Sequence, residues 1–193
     1  MKVALVGNGK LSKNYGKSID KNDLVIRFNS AKIQGYEKER GVKTSILAIV
    51  GETALSYTAA ARNLDKDILR QCEYIYISGL KRNQAYEKEI LKYKGSGSIL
   101  FTYVNFECFK KVATDVRPDF EMVKFPSTGI NIICYLIFNM LKPEDKLNVY
   151  GFDNFDTGHY KDSIRNNAEF HDLEIEKWII DYLKTYKNIK FFN

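Results

Sequence analysis

The feature that most constrains this chain is an alternation. Short apolar runs, mostly β-branched, recur at 2–6 (KVALV), 23–28 (DLVIRF), 45–50 (SILAIV), 73–78 (EYIYIS), 99–104 (ILFTYV) and 146–151 (KLNVYG). Between several of them stand longer stretches with helical spacing, at 53–71, 83–94, 128–141 and 172–187, and a shorter one near 105–114. Alternating strands and helices pack as a mostly parallel sheet flanked by helices, the α/β class. Runs such as LVIRF lack in–out alternation, as strands covered on both faces do. The closing NIKFFN reads as a last edge strand. No repeat, low-complexity tract or Pro/Gly-rich linker divides the chain, and 193 residues suffice for one domain with a sizeable core. A single domain over 1–193 is expected.

Composition narrows the function classes. A formal charge of +6 fits a polyanionic partner, but the lysines are scattered among acids and form no basic stripe with exposed aromatics. Nucleic acid is therefore not the expected partner. An anionic small substrate suits the same charge. The three cysteines, Cys72, Cys108 and Cys134, have no CxxC spacing and read as reduced, packed thiols. The longest apolar stretch, INIICYLIFNML at 130–141, is about half of the roughly 20 residues that a membrane span needs. No transmembrane segment is expected, and any membrane contact would be peripheral.

Two loops attract attention. The first run ends in Gly7-Asn8-Gly9, where an α/β sheet places its ligands. Glycine lets a ligand approach backbone N–H groups, and Asn8 both donates and accepts. A dinucleotide fingerprint needs a third glycine, and Ser12 stands there. It also needs an acid at the tip of the second strand, which ends in Arg27-Phe28-Asn29. A tight turn without a ligand is the other reading. The second loop, FPSTGI at 125–130, has Pro126 before a helix, Ser127 or Thr128 to cap it, and Gly129 to admit a ligand. A helix start with two hydroxyls suits an anion, and an ordinary N-cap is the plainer alternative.

The chain has two histidines, His159 in a polar loop and His171 where a helix begins. Imidazole suits proton abstraction near neutral pH. Glu176, five positions after His171, lies about 140° away around a helix of 3.6 residues per turn, so the two need not touch. Glu176 is then free to tie the helix to a loop. Asp153, Asp156 and Asp162 share one acidic loop. No His/Cys cluster with zinc spacing is present.

Taken in order, these residues resemble the animal-type sialyltransferases, glycosyltransferase family 29. The large sialylmotif is similar to residues 4–49, with Val6-Gly7-Asn8, Gly16, Ile19-Asp20, Asp23, Arg27, Asn29, Ala31, Gly35-Tyr36-Glu37, Gly41 and Lys43-Thr44. The small motif resembles PSTGINIICYLIFNMLKPEDKLNVYGF at 126–152, the third motif HYKD at 159–162, and the last one the His171–Glu176 pair. All four stand in the family's order. The resemblance implies a Rossmann-like, sialyltransferase-type variant of the glycosyltransferase A fold. It implies transfer of sialic acid from CMP-sialic acid to a glycan hydroxyl with inversion and with no metal. His171 is the expected general base. Gly7, Asn8, Gly9, Asn29, Ser127, Thr128, Gly129, His159 and Tyr160 are the expected donor-binding residues, with Arg27 and Glu176 in support.

The resemblance has departures. The family's motif-linking disulfide would fall at Val3 and Glu144, and Lys161 replaces the usual aromatic or histidine of the third motif. With no anchor, this implies a bacterial, cytoplasmic enzyme, with any membrane contact peripheral to the inner membrane, acting on a lipooligosaccharide or capsule precursor. Other readings are a transferase using CMP-Kdo, a CMP-sugar-binding module without catalysis, and a dehydrogenase on the same fold.

Overall fold

The computed structural model describes residues 1–51, 64–79, 82–95, 97–152 and 171–193. Seven strands form one sheet: β1 (Lys2–Val6), β2 (Leu24–Phe28), β3 (Ile46–Val50), β4 (Tyr74–Ser78), β5 (Leu100–Val104), β6 (Lys146–Tyr150) and β7 (Ile189–Phe192). Their order is β5-β4-β3-β2-β1-β6-β7, and every neighbouring pair is parallel. Each predicted strand is present within a residue or so of its expected ends, and β7 is the edge strand expected of the closing residues.

The helices are α1 (Gly16–Asp20), α2 (Glu37–Arg40), α3 (Lys66–Gln71), α4 (Gln84–Lys94), α5 (Glu107–Val116), α6 (Thr128–Asn139) and α7 (Leu173–Leu183). Side chains of each strand alternate between two cores. Leu5, Ile26, Phe28, Ala48, Tyr76 and Val149 pack with Phe109, Ile133 and Ile179 of α5, α6 and α7. On the opposite face Leu47, Ile49, Ile75 and Ile77 pack with Ile68 and Tyr86 of α3 and α4. Ala4, Val6 and Val25 pack there with Ile19 of α1. Helices on both faces explain why the strands read as continuous apolar runs.

Three helix readings need correction. The stretch 53–71 is not one helix in its described part. Asp65 adopts an extended conformation and caps a helix that starts only at Lys66, its carboxylate accepting from the N–H groups of Asp67 and Ile68. The last helix ends at Leu183 rather than near 187: in KTYKN beyond it Tyr186 stays exposed against Tyr182 instead of entering the core, and the Thr185 hydroxyl bonds back to the Tyr182 carbonyl. Helices α1 and α2 were not read at all, since five and four residues are too few to show a 3.6-residue period.

The topology fixes where a ligand belongs. From β1 the chain steps outward to β5, then returns to lay β6 on the other side of β1. The strand order therefore reverses between β1 and β6, and open parallel sheets bind ligands at the carboxyl ends of such a pair. Val6 is level with Arg27 of β2 and with Tyr150 of β6. The residues that follow them, Gly7-Asn8-Gly9, Phe28-Asn29 and Gly151-Phe152, form the edge of the crevice.

Candidate active site

The first loop is laced to its neighbours through its main chain. The Gly7 N–H donates to the Tyr150 carbonyl at 2.8 Å and the Gly9 N–H to the Gly151 carbonyl at 3.0 Å. Both amides thus extend the β1–β6 pairing past the strand ends. The N–H groups of the two glycines are therefore committed to the sheet. Gly7 is required for space instead: a Cβ there would lie 2.5 Å from the Gly151 carbonyl oxygen and 2.7 Å from the Phe152 ring. Asn8 donates from its side chain to the Phe28 carbonyl at 3.3 Å, which binds the loop to the tip of β2.

Asn29 has φ of 50°, the one non-glycine positive φ among the described residues. Asparagine tolerates that left-handed conformation better than most residues. Its Oδ1 accepts from the Val50 N–H at 3.0 Å. A backbone N–H can face only the oxygen of an amide, so the Nδ2 end, two donors, is the end turned away from β3.

The second loop meets the first across one side chain. Phe152 wedges between them, and a Cβ on Gly129 would lie 2.5 Å from the opposite edge of the same ring. Phe28 abuts Phe152 edge-on, with ring centres 5.5 Å apart. Ser127, rather than Thr128, caps α6, accepting from the Ile130 N–H. Both polar groups of Ser127 are already committed: its N–H donates to Glu176 Oε1 at 2.6 Å and its hydroxyl to Glu176 Oε2 at 2.7 Å. Among the described residues, the N–H groups of Thr128 and Gly129 have no partner, as expected of the first turn of a helix.

Glu176 ties α7 to this loop, one of the roles open to it from the sequence. It is 2% exposed, and burial drives its carboxyl up to about 7 against the two bonds from Ser127, which pull the other way. His171, one residue before the α7 cap Asp172, reaches the same segment. Its Nδ1 lies 2.9 Å from the Phe125 carbonyl oxygen. A carbonyl only accepts, so Nδ1 carries the proton and Nε2 is the basic nitrogen of the neutral ring. The last motif is therefore a two-pronged clip on residues 125–127, with His171 at one end and Glu176 at the other.

Two residues that the sequence reading passed over complete the site. One is Phe152, which sits inside the small motif just past the predicted strand at 146–151. The other is Arg40, at the end of α2 and 1% exposed. Its Nη1 donates to the Gly7 carbonyl at 2.8 Å and its Nη2 to the Gly9 carbonyl. Arg27 braces the segment that carries Arg40. It is 2% exposed and donates to the carbonyls of Arg40 and Lys43 and to the Thr44 hydroxyl. His159 and Tyr160 lie outside the described residues.

The switch point of a parallel sheet thus brings together two loops that share one aromatic wedge, with a tautomer-fixed histidine beside them. Comparison with known proteins gives the family. The sequence model of glycosyltransferase family 29 (sialyltransferase) matches residues 1–188, and the chain belongs to that family. It is 26% identical to the CMP-N-acetylneuraminate-beta-galactosamide-alpha-2,3-sialyltransferase 2 of Mus musculus, over 99% of this chain and 56% of that protein. It is 28% identical to the corresponding sialyltransferase 1 of Gallus gallus, over 99% of this chain and 58% of that one. The chain thus spans a little over half the length of these curated relatives. A mammalian sialyltransferase crystal structure superposes with a TM-score of 0.61 at 19% identity, covering 99% of this chain and 68% of that one. The Campylobacter jejuni sialyltransferase solved with CMP-3FNeuAc gives 0.53 at 17% identity, covering 99% and 80%. These two likenesses establish the fold as that of sialyltransferases. Among the described residues, no helix is long and apolar enough to cross a membrane.

Proposed function

We propose that this chain transfers sialic acid from CMP-sialic acid to a glycan hydroxyl with inversion and without a metal, using His171 as general base. The observation that carries the reading is the bond from His171 Nδ1–H to the Phe125 carbonyl, two residues before the α6 cap Ser127. One short segment holds both the basic Nε2 and the helix start that faces the donor. The acceptor oxygen attacks the anomeric carbon of the sialyl group from the side opposite CMP, and its proton passes to Nε2. The bond from that carbon to the phosphate oxygen breaks, and CMP leaves with the electron pair. The charge gained by the phosphate falls among N–H donors: the Asn29 amide, the Asn8 N–H and the first-turn amides of α6. Fixed dipoles of this kind stabilise developing charge without a metal. His159 and Tyr160 are proposed as further donors to the phosphate by family analogy.

The test is donor turnover in EDTA with wild type and His171→Ala, supplied with CMP-sialic acid and a galactoside acceptor. The reading expects wild-type transfer and a loss of about 10²–10⁴-fold in the variant, with CMP affinity nearly unchanged. Undiminished transfer by His171→Ala would remove the base assignment. Transfer abolished by EDTA and restored by a divalent metal would remove the metal-free mechanism.

A further inference from the structure

We infer that Arg40 is a positioning residue for the donor phosphate, acting from behind the Gly7-Asn8-Gly9 turn through the Gly7–Asn8 peptide. The inference rests on the CMP-sugar reading above and adds to it a residue that reading does not use.

The geometry is specific. Gly7 and Gly9 are gripped on two sides. Their N–H groups point to the carbonyls of Tyr150 and Gly151, and their carbonyls point to the Arg40 guanidinium. In a trans peptide the C=O and the following N–H point in opposite directions. With the Gly7 carbonyl drawn onto Arg40 Nη1 at 2.8 Å, the Asn8 N–H must point away from Arg40. That N–H has no partner among the described residues. Arg40 therefore selects which amide of the loop is left to a ligand. Among Gly7, Asn8 and Gly9 it is Asn8, at the switch point of the sheet.

The guanidinium also changes the strength of that donor. A charged donor on the carbonyl end of a peptide polarises it, and hydrogen bonds in such a chain reinforce each other. Glu39 Oε1 lies 3.2 Å from Arg40 Nη2, and that carboxylate is 28% exposed while Arg40 is 1% exposed. Arg27, itself buried, donates to the Arg40 carbonyl and so braces the end of α2 on which Arg40 sits. A buried cation one peptide away from an anion site favours a phosphate group over a neutral ligand. Lysine at 40 would keep the charge without the rigid fork that reaches two carbonyls at once.

A purely structural Arg40, a tie between α2 and the end of β1, makes a different prediction. Loosening the loop would weaken the nucleoside and the nucleotide alike. The experiment therefore compares CMP with cytidine on wild type, Arg40→Met and Arg40→Lys. Calorimetry reads CMP, ligand-observed NMR reads cytidine, and circular dichroism confirms folding. The expected result for Arg40→Met is a tenfold or greater loss of CMP affinity with cytidine changed less than threefold. Arg40→Lys should fall between Arg40→Met and wild type for CMP and match wild type for cytidine. Equal losses for both ligands, or CMP binding unchanged in both variants, would overturn the inference. If Arg40→Met does not fold, Arg40→Lys decides by the same ratio. A wild-type chain that binds no CMP would overturn the donor reading itself and this inference with it. Wild-type CMP binding with an unaltered CMP-to-cytidine ratio in the variants would overturn only the role of Arg40.

Discussion

The two loops that meet at Phe152 are braced from behind by buried groups of opposite kind. Arg40 stands behind the first and Glu176 behind the second. The cation draws in carbonyls and so turns an amide N–H outward. The carboxylate takes the N–H and hydroxyl of Ser127 and so removes them from the ligand's reach, leaving the next two amides of α6. One brace favours an anion. The other opposes it whenever it is ionised, and its raised titration point shows that burial already works against the charge. Similar sequence signals, a glycine beside a small polar residue after a strand or before a helix, thus hide different wiring.

Four substitutions sharpen that contrast, taken from the largest expected effect to the smallest. Gly7→Ala sets a methyl against the Gly151 carbonyl as well as Phe152. Backbone cannot step aside, so unfolding should show a loss of about 3 kcal/mol, the upper end for overpacking. A loss no greater than that of Gly129→Ala would mean that the first loop is the softer one.

Glu176→Ala leaves the buried Ser127 N–H without its acceptor and should cost about 2 kcal/mol in the same measurement. Glu176→Gln should cost much less, since an amide accepts from that N–H and donates to the hydroxyl as a neutral carboxyl does. Equal losses for the two variants would show that the charge, not the pair of bonds, holds the loop.

The charge itself is visible in pH dependence. The folded-state value of Glu176, about 7, lies above the ordinary 4.5. A raised carboxyl means that the folded state holds the proton more tightly. This contribution to stability is fully present below about pH 4.5 and is lost as pH rises through about 7. Between pH 5 and 8, wild type should lose about 2 kcal/mol relative to Glu176→Gln. Parallel stability curves for the two proteins would contradict it.

Gly129→Ala should also have a small effect, about 1 kcal/mol. The three atoms nearest its methyl all belong to the ring of Phe152, a side chain rather than backbone, and alanine regains helix propensity that glycine lacks.

Much of this was legible in the sequence, and what was not has a common cause. The strands announced themselves because β-branched runs buried on two faces leave a continuous apolar signature, LVIRF being the plainest. A cap at Ser127 or Thr128, the helix behind it and the placing of both loops at strand ends or helix starts follow from local rules that a single sequence carries. The separation of His171 from Glu176 has another origin than the helical period, since His171 precedes the α7 cap Asp172 and only Glu176 lies on the helix. Arg40 was hidden because YEKERG reads as a solvated charged turn, and its partners Gly7 and Gly9 lie more than thirty positions away. Ser127 looked available because its partner Glu176 is 49 positions on. Local propensity shows which residues can bind a ligand; long-range partners decide which of their atoms are left to do so.

The most direct test of the account is a calorimetric titration of CMP into wild type and Asn29→Ala, in EDTA. The account predicts one CMP site in wild type and about a tenfold or greater loss in the variant, the cost of removing one hydrogen bond to a charged group. A wild-type chain that ignores CMP, or an Asn29→Ala chain that binds it with unaltered affinity, would contradict the placing of the donor between these two loops.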